Sequence, residues 1–173
     1  MEVVIDSIDW NSGQDQLLAI RHAVFVDEQG VPKELEHDEH DQAALHLIAR
    51  TADGRAVGTA RMLGDGHIGR MAVLPAWRRR GVGGALLSEL IRIAGDRDIQ
   101  GLFLNAQCEA ESFYRRFGFV AEGEIFADAG IIRAPSGRQL VLAVFSEATP
   151  AYRGAFIADL ARSCTEELLA RAD

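Results

Sequence analysis

Between Arg70 and Leu87 the chain places three consecutive arginines, Arg78, Arg79 and Arg80, and three closely spaced glycines, Gly81, Gly83 and Gly84, between two apolar runs. The first run, Met71-Ala72-Val73-Leu74, reads as the end of a strand; the second, opening at Ala85, reads as a helix. Glycine lets backbone approach a ligand closely. The first N–H groups of a helix lack internal partners and point at whatever sits there. The positive end of the helix dipole adds about 0.3–1 kcal/mol for an anion at an exposed site, and guanidinium groups add charge-assisted hydrogen bonds. The chemistry this spacing offers is phosphate capture. It is not a Walker turn, because Gly-Lys is absent, and it is not the dinucleotide fingerprint, because Leu86 stands where the third glycine belongs. The bland alternative, a flexible turn with solvated arginines, is weakened by strand, turn and helix arriving together.

Other reactive side chains are less informative. Cys108 and Cys164 form no disulfide framework and show no zinc spacing. Cys108 reads as a partly buried bystander, not a nucleophile. The run His37-Asp38-Glu39-His40-Asp41, with His46 nearby, has no distinctive metal-ligand spacing and reads as a solvated acidic loop, so no metal is expected. The formal net charge is −8, from 18 Lys+Arg against 26 Asp+Glu. That balance argues against a general nucleic-acid binder, which needs a basic surface. The sequence shows no basic n-region and no long apolar stretch, so neither a signal peptide nor a membrane span is expected. With the sparse cysteines, this points to a cytoplasmic protein.

The elements that must position the turn follow from pattern. Glu2–Ile8 alternates as a first strand, and 16–29 carries Leu17, Ile20, Val24 and Phe25 near helical spacing, ending by Gly30-Val31-Pro32. Residues 45–51 and 55–63 are strands joined at Asp53-Gly54, a hairpin signal. Gly64-Asp65-Gly66 turns the chain into a strand at 67–74. A helix is expected over 81–95, a strand over 101–106 and a short helix over 109–117. Strands over 119–126 and 139–145 flank a longer loop with Gly130 and Pro135-Ser136-Gly137. Residues 150–170 carry Ile157, Leu160, Ala161, Cys164 and Leu168 on one face of a C-terminal helix. At 173 residues with 48% hydrophobic content, the whole reads as a single domain, with a core over about 1–146 and a helical extension over 147–173. The expected fold class is α/β, with mixed strand pairing.

Arg78-Arg79-Arg80-Gly81-Val82-Gly83 matches [QR]-x-x-G-x-[GA], the signature of the GNAT superfamily. Val73-Leu74-Pro75 stands where that family has V-x-P. Gln107 to Tyr114 resembles its N-x-x-A-x-x-[FLY]-Y, with Gln107 in place of Asn, and Tyr114 to Phe119 matches Y-x-x-x-G-F. Two motifs in order, about thirty residues apart, make the segment from His67 to Val120 resemble a GNAT acetyltransferase. Arg21 to Gln29, Glu34-Leu35-Glu36 and His46-Leu47 resemble the ElaA-like branch, and faintly the acyl-homoserine-lactone synthases that share the core. The resemblance implies a mostly antiparallel mixed central sheet with helices on both faces, and the extra C-terminal helix beyond a minimal core.

It also implies acetyl-CoA as co-substrate and a small-molecule or peptide amine as acceptor. The backbone of Met71, Ala72 and Val73 would meet the pantetheine arm. Amides of Arg79, Arg80, Gly81, Val82, Gly83 and Gly84 would cradle the pyrophosphate, Arg78 to Arg80 would reach toward phosphates, and Gln107 would keep or lose one cofactor hydrogen bond. Tyr114 is the expected acid. A phenol near pKa 10 protonating a thiolate of reference pKa 8.5 is uphill by about 2 kcal/mol, and Phe113 beside it can fill the packing role. His67 is the expected base, since alternation puts positions 67, 69, 71 and 73 on one face unless a bulge intervenes. A solvated histidine after Asp65-Gly66 is its alternative, with Glu28 and Glu109 in reserve. The acidic run would rim the acceptor pocket and attract a cationic amine. The C-terminal helix would cover the sheet, close that pocket or pair two subunits as a homodimer. A non-catalytic acyl-CoA-binding module, and a lactone-synthase-like acyltransferase, remain the competing readings.

Overall fold

The computed structural model describes residues 3–106, 110–126, 129–132 and 142–144. Four strands form an antiparallel meander: β1 (Val3–Ile8), β2 (Leu45–Thr51), β3 (Ala56–Met62) and β4 (His67–Val73). The parallel strands β5 (Phe103–Ala106) and β8 (Leu142–Val144) extend it to the order β1-β2-β3-β4-β5-β8. A second ladder pairs β6 (Ala121–Phe126) with β7 (Ala129–Ile132). The long loop expected after residue 126 therefore carries a strand where it contains Gly130. The C-terminal helix expected over 150–170 lies outside the described residues, as do Gln107 and Glu109.

The first helix differs from its expected bounds. α1 runs from Trp10 to Arg21, because Asp9 caps it by accepting from the Asn11 amide at 2.9 Å. The chain then widens into a π-helical segment, His22–Glu28, so the single expected helix is two elements. Wide turns of this kind concentrate at functional sites. α2 (Val82–Asp96) and α3 (Glu111–Arg115) follow β4 and β5.

Helices cover both sheet faces. Leu17, Ile20 and Val24 bury against Ile48 and Ala72 on one face. Leu86, Leu87 and Leu90 of α2 bury against Leu47, Ala60, Met62, Ile68 and Leu104 on the other. Gly66 sits where β4 starts beside the approach to β5. Its φ is +91° and a Cβ there would lie 1.9 Å from the Gly101 carbonyl oxygen, so only glycine fits.

β4 carries one irregularity that matters. Gly69 pairs with Arg61 and Ala72 with Thr59, so Arg70 and Met71 together oppose Ala60, a β-bulge with Arg70 at φ +49°. Ile68 consequently packs on the α2 side and Ala72 on the α1 side, although they are four residues apart.

Candidate active site

After β4 the chain makes a short 3-10 turn over Pro75–Trp77 and enters α2 through Arg79 at φ +59° and Gly81 at φ +85°. Gly81 is the N-cap, and no side chain caps the helix. The first helical bond runs from the Ala85 amide to the Gly81 carbonyl at 2.9 Å, so the amides of Val82, Gly83 and Gly84 precede the intrahelical ladder. Among the described residues nothing lies within 4 Å of where a Gly81 Cβ would be, which leaves those amides open on that side. Gly84 also has a packing reason: a Cβ there would stand 3.1 Å from Phe117 Cζ, tighter than side chains normally pack, whereas one at Gly83 would make an ordinary 3.6 Å contact with Phe113 Cζ.

The three arginines divide their work. Arg78 is engaged by protein: its two terminal nitrogens donate to Glu28 at 2.7 and 2.6 Å and its Nε to the Val73 carbonyl at 3.0 Å. That fork ties the π-helical segment to the end of β4. It also holds the Glu28 carboxyl below its ordinary range, which makes Glu28 a poor base. Arg80 lies over the Trp77 ring at 5.3 Å. Arg79 and Arg80 are exposed at the mouth of the turn.

β4 and β5 pair only at His67–Phe103 and Ile68–Leu104. Among the described residues no further β4–β5 pairs follow, so the two strands part there, while β5 carries β8 on its other edge. The β4 backbone from Gly69 to Val73 thus borders a cleft that opens toward the free amides of α2. Tyr114 reaches this cleft from α3. Its side chain is 8% exposed, its ring packs against Phe113 and Phe119, and its hydroxyl donates to Met71 Sδ at 3.7 Å. Burial pushes the phenol up to about 12. It therefore stays protonated at neutral pH.

His67 does not share a face with Met71 and Val73 as simple alternation predicts; the bulge turns it to the α1 side. There its ring stacks on Phe103 with centroids 4.8 Å apart, and burial pushes it down to about 4.

The acidic segment 36–41 differs most from its expected state. His37, Glu39 and His40 are exposed as expected, but Asp41 and the neighbouring Glu36 are buried, each 1% exposed. Arg21, fully buried, donates to Glu36 through Nε and to Asp41 at 2.9 and 3.0 Å. Arg61 donates to Asp41 at 2.8 Å and to Asp38 at 2.7 and 3.1 Å. Arg70 donates to the carbonyls of Glu36 at 2.8 Å and Leu35 at 3.4 Å, and to Asp38 at 3.1 Å. Burial pushes the Asp41 carboxyl up, but Arg21 and Arg61 outweigh it and hold the group well below the carboxylate range. His46 donates through Nε2 to the Asp41 carbonyl at 2.8 Å. The available signal was an arginine inside each of two apolar stretches, Arg21 after Leu17 and Ile20, and Arg61 between Ala60 and Met62. Among the described residues no group of three or more His, Cys, Asp or Glu side chains can hold a metal ion, and no helix is long and apolar enough to cross a membrane.

A mixed sheet whose parallel strands splay beside uncapped helix-start amides is the frame of an acyl-CoA N-acyltransferase. The cleft fits such a co-substrate: anion donors at one end, an unpaired strand edge along it, and a protonated phenol at the bulge. The family model described as Acetyltransferase (GNAT) domain matches residues 11–135. The uncharacterized N-acetyltransferase YjcF of Bacillus subtilis is 38% identical over 116 residues, covering 65% of this chain and 82% of that protein. Protein ElaA of Escherichia coli is 30% identical over 135 residues, covering 73% of this chain and 88% of that one. The crystal structure of ElaA superposes with a TM-score of 0.65 at 28% identity, over 76% of this chain and 97% of that one. An acyl-CoA N-acyltransferase from Pseudomonas aeruginosa gives 0.63 at 28% identity, over 72% and 93%. The chain belongs to the GNAT acetyltransferase family, in its ElaA-like branch, and that fold implies an acyl-CoA co-substrate.

Proposed function

We propose that this protein transfers the acetyl group of acetyl-CoA directly to a primary amine of a small molecule or peptide. The observation that carries the reading is the Tyr114 hydroxyl on Met71, at the mouth of the β4–β5 splay and on the same side of the sheet as the α2 amides. In this reading Arg79, Arg80 and the amides of Gly81, Val82, Gly83 and Gly84 hold the pyrophosphate. The backbone of Met71, Ala72 and Val73 holds the pantetheine arm. Arg78 serves from behind, bracing the strand end against Glu28. Gln107, outside the described residues, would contribute one cofactor hydrogen bond. In the same reading the chain is one acyltransferase domain, and the cysteine usage favours the cytoplasm.

Proximity supplies much of the acceleration, but two proton problems remain. An alkylammonium of pKa near 10.4 costs about 4.6 kcal/mol to neutralise at pH 7. The departing sulfur needs a donor. With Tyr114 near 12 and a thiol near 8.5, full transfer from the phenol is uphill by about 4.8 kcal/mol. Tyr114 therefore acts chiefly as a hydrogen-bond donor to the sulfur, completing the transfer only as charge develops there. The amine's proton leaves on the opposite face, where His67 is the strand-borne imidazole.

Calorimetry with acetyl-CoA, followed by thiol release across a panel of primary amines, tests the proposal. Binding with turnover on at least one amine is expected. Binding with no turnover on any amine would instead make the protein a non-catalytic acyl-CoA module.

A further inference from the structure

On the α1 face, next to the bulge, His22 and Glu36 form a pair that has no role in the reading above. Oε1 of Glu36 accepts from Arg21, whereas Oε2 is buried without a hydrogen-bond partner among the described residues. A carboxylate oxygen left bare in the interior is costly, and His22 Nε2 lies 3.5 Å from it. The imidazole is 28% exposed while the Glu36 side chain is fully buried. With Nε2 turned inward to the carboxylate, Nδ1 is the nitrogen left to meet a ligand.

The pair is placed at the reaction's other side. The Glu36 carbonyl accepts from Arg70 Nε, on the bulge residue itself. Farther along the π-helical segment, Val24 packs in one cluster with Ala72, and Glu28 holds Arg78, which grips the Val73 carbonyl. The segment carrying His22 thus follows β4 from the bulge to the phosphate turn, on the face opposite Tyr114.

We propose that His22, oriented by Glu36, is the base that takes the proton of the acceptor amine, in place of His67. Glu36 is the positioning residue, fixing the Nε2–H tautomer so that the Nδ1 lone pair faces outward. The amine nitrogen bonds to the thioester carbonyl carbon as the C–S bond breaks. The amine's proton passes to Nδ1, the sulfur receives one from Tyr114, and the two groups re-equilibrate through solvent, so no other reactant is needed. His67 is placed otherwise: its ring is stacked on Phe103 where β4 and β5 are still bonded, and the neighbouring Asp65 carboxylate accepts from its backbone amide, not its ring.

The inference rests on the acyl-transfer reading, and the experiment separates the two. The full chain, labelled with 15N-histidine, is compared with His22→Gln, His22→Ala, Glu36→Gln and His67→Gln. Thiol release is measured with acetyl-CoA and the fastest amine of the panel, acetyl-CoA affinity by calorimetry, and the His22 tautomer by NMR. His22→Gln is expected to lower kcat on the order of 100-fold with acetyl-CoA affinity unchanged within twofold, and free imidazole is expected to restore part of the rate to His22→Ala. His22 is expected to be protonated on Nε2 in the wild type and to lose that preference in Glu36→Gln. A rate within threefold of wild type in His22→Gln, with the large loss in His67→Gln instead, overturns the assignment. So does an Nδ1-protonated His22 in the wild type, a readout that needs no turnover. If the wild type gives no heat with acetyl-CoA, the acyl-transfer reading falls and the base role with it, a pattern distinct from failure at His22 alone.

Discussion

Replacing Asp41 by Asn asks how much of the stability on the α1 face comes from buried charge. Asp41 is 1% exposed and accepts from Arg21 at 2.9 and 3.0 Å, from Arg61 at 2.8 Å and from the Asp38 amide at 3.1 Å. An amide has one acceptor oxygen, and its NH2 would face a guanidinium, so at least one of the charged contacts is lost and the others lose their ionic character. Arg21 is then left with Glu36, and Arg61 with Asp38. Breaking a buried ion pair from one side costs about 3–5 kcal/mol, because the orphaned cation stays desolvated, against about 1 or less for a surface pair. For a chain of this size each kcal/mol moves Tm by about 2–4 °C, so Asp41→Asn should melt roughly 6–20 °C lower. The pH dependence supplies a second reading. A carboxyl held below its unfolded value stabilises fully above about pH 3.9, and that contribution is lost as pH falls toward the folded value. Wild type should therefore lose stability on acidification below pH 4, and the variant, already lacking the contribution, should lose less there. Urea unfolding followed by circular dichroism at pH 7 and pH 3 gives both quantities. A loss under 1 kcal/mol at pH 7, or equal acid losses in the two proteins, would refute the view that the network is a major source of stability.

Tyr114→Phe should change unfolding free energy by no more than about 1 kcal/mol, because the hydroxyl gives up only a weak sulfur acceptor, while kcat drops at least tenfold; unchanged turnover removes Tyr114 from the mechanism. Gly81→Ala meets no atom of the described residues but places Cβ on a backbone at φ +85°, so it should cost about 1–2 kcal/mol and weaken acetyl-CoA binding, read by melting and calorimetry; an unaltered affinity would show that the amides at this turn do not hold the diphosphate. His67→Phe keeps a ring on Phe103 and removes a histidine whose folded value is depressed to about 4. Between pH 6.5 and 4 the unfolded state binds the extra proton, so wild-type stability falls as pH drops, by up to about 1.4 kcal/mol per unit. The variant should show a shallower fall in urea titrations over that window, and an identical slope would contradict the burial of this ring.

The Gly-rich turn into α2 was legible in the sequence because its cause is local. Glycines, arginines and an apolar helix start lie within eighteen residues, and the strand before them must end where Pro75 begins the turn. The meander was legible for a similar reason, since Asp53-Gly54 closes β2 onto β3 across a short loop, with Gly54 at φ +84°. The ion network was not. Arg21 and Arg61 meet carboxylates 15 to 23 residues away along the chain, and within a hydrophilic run whose His37, Glu39 and His40 are exposed nothing local marks Asp41 as the buried one.

The bulge belongs with the network. Arg70 adopts a left-handed backbone that costs about 1–2 kcal/mol for a residue with a Cβ, and nothing in the adjoining sequence demands it. What holds it is the set of bonds from its guanidinium to Leu35, Glu36 and Asp38. Those same bonds seat Glu36 beside His22, and the bulge they hold sends His67 to one face of the sheet and Met71 to the other. The acidic segment and the cleft between β4 and β5 are thus mechanically one object. Substitutions in residues 35–41 should register at the cleft even though no side chain there need touch the acyl donor.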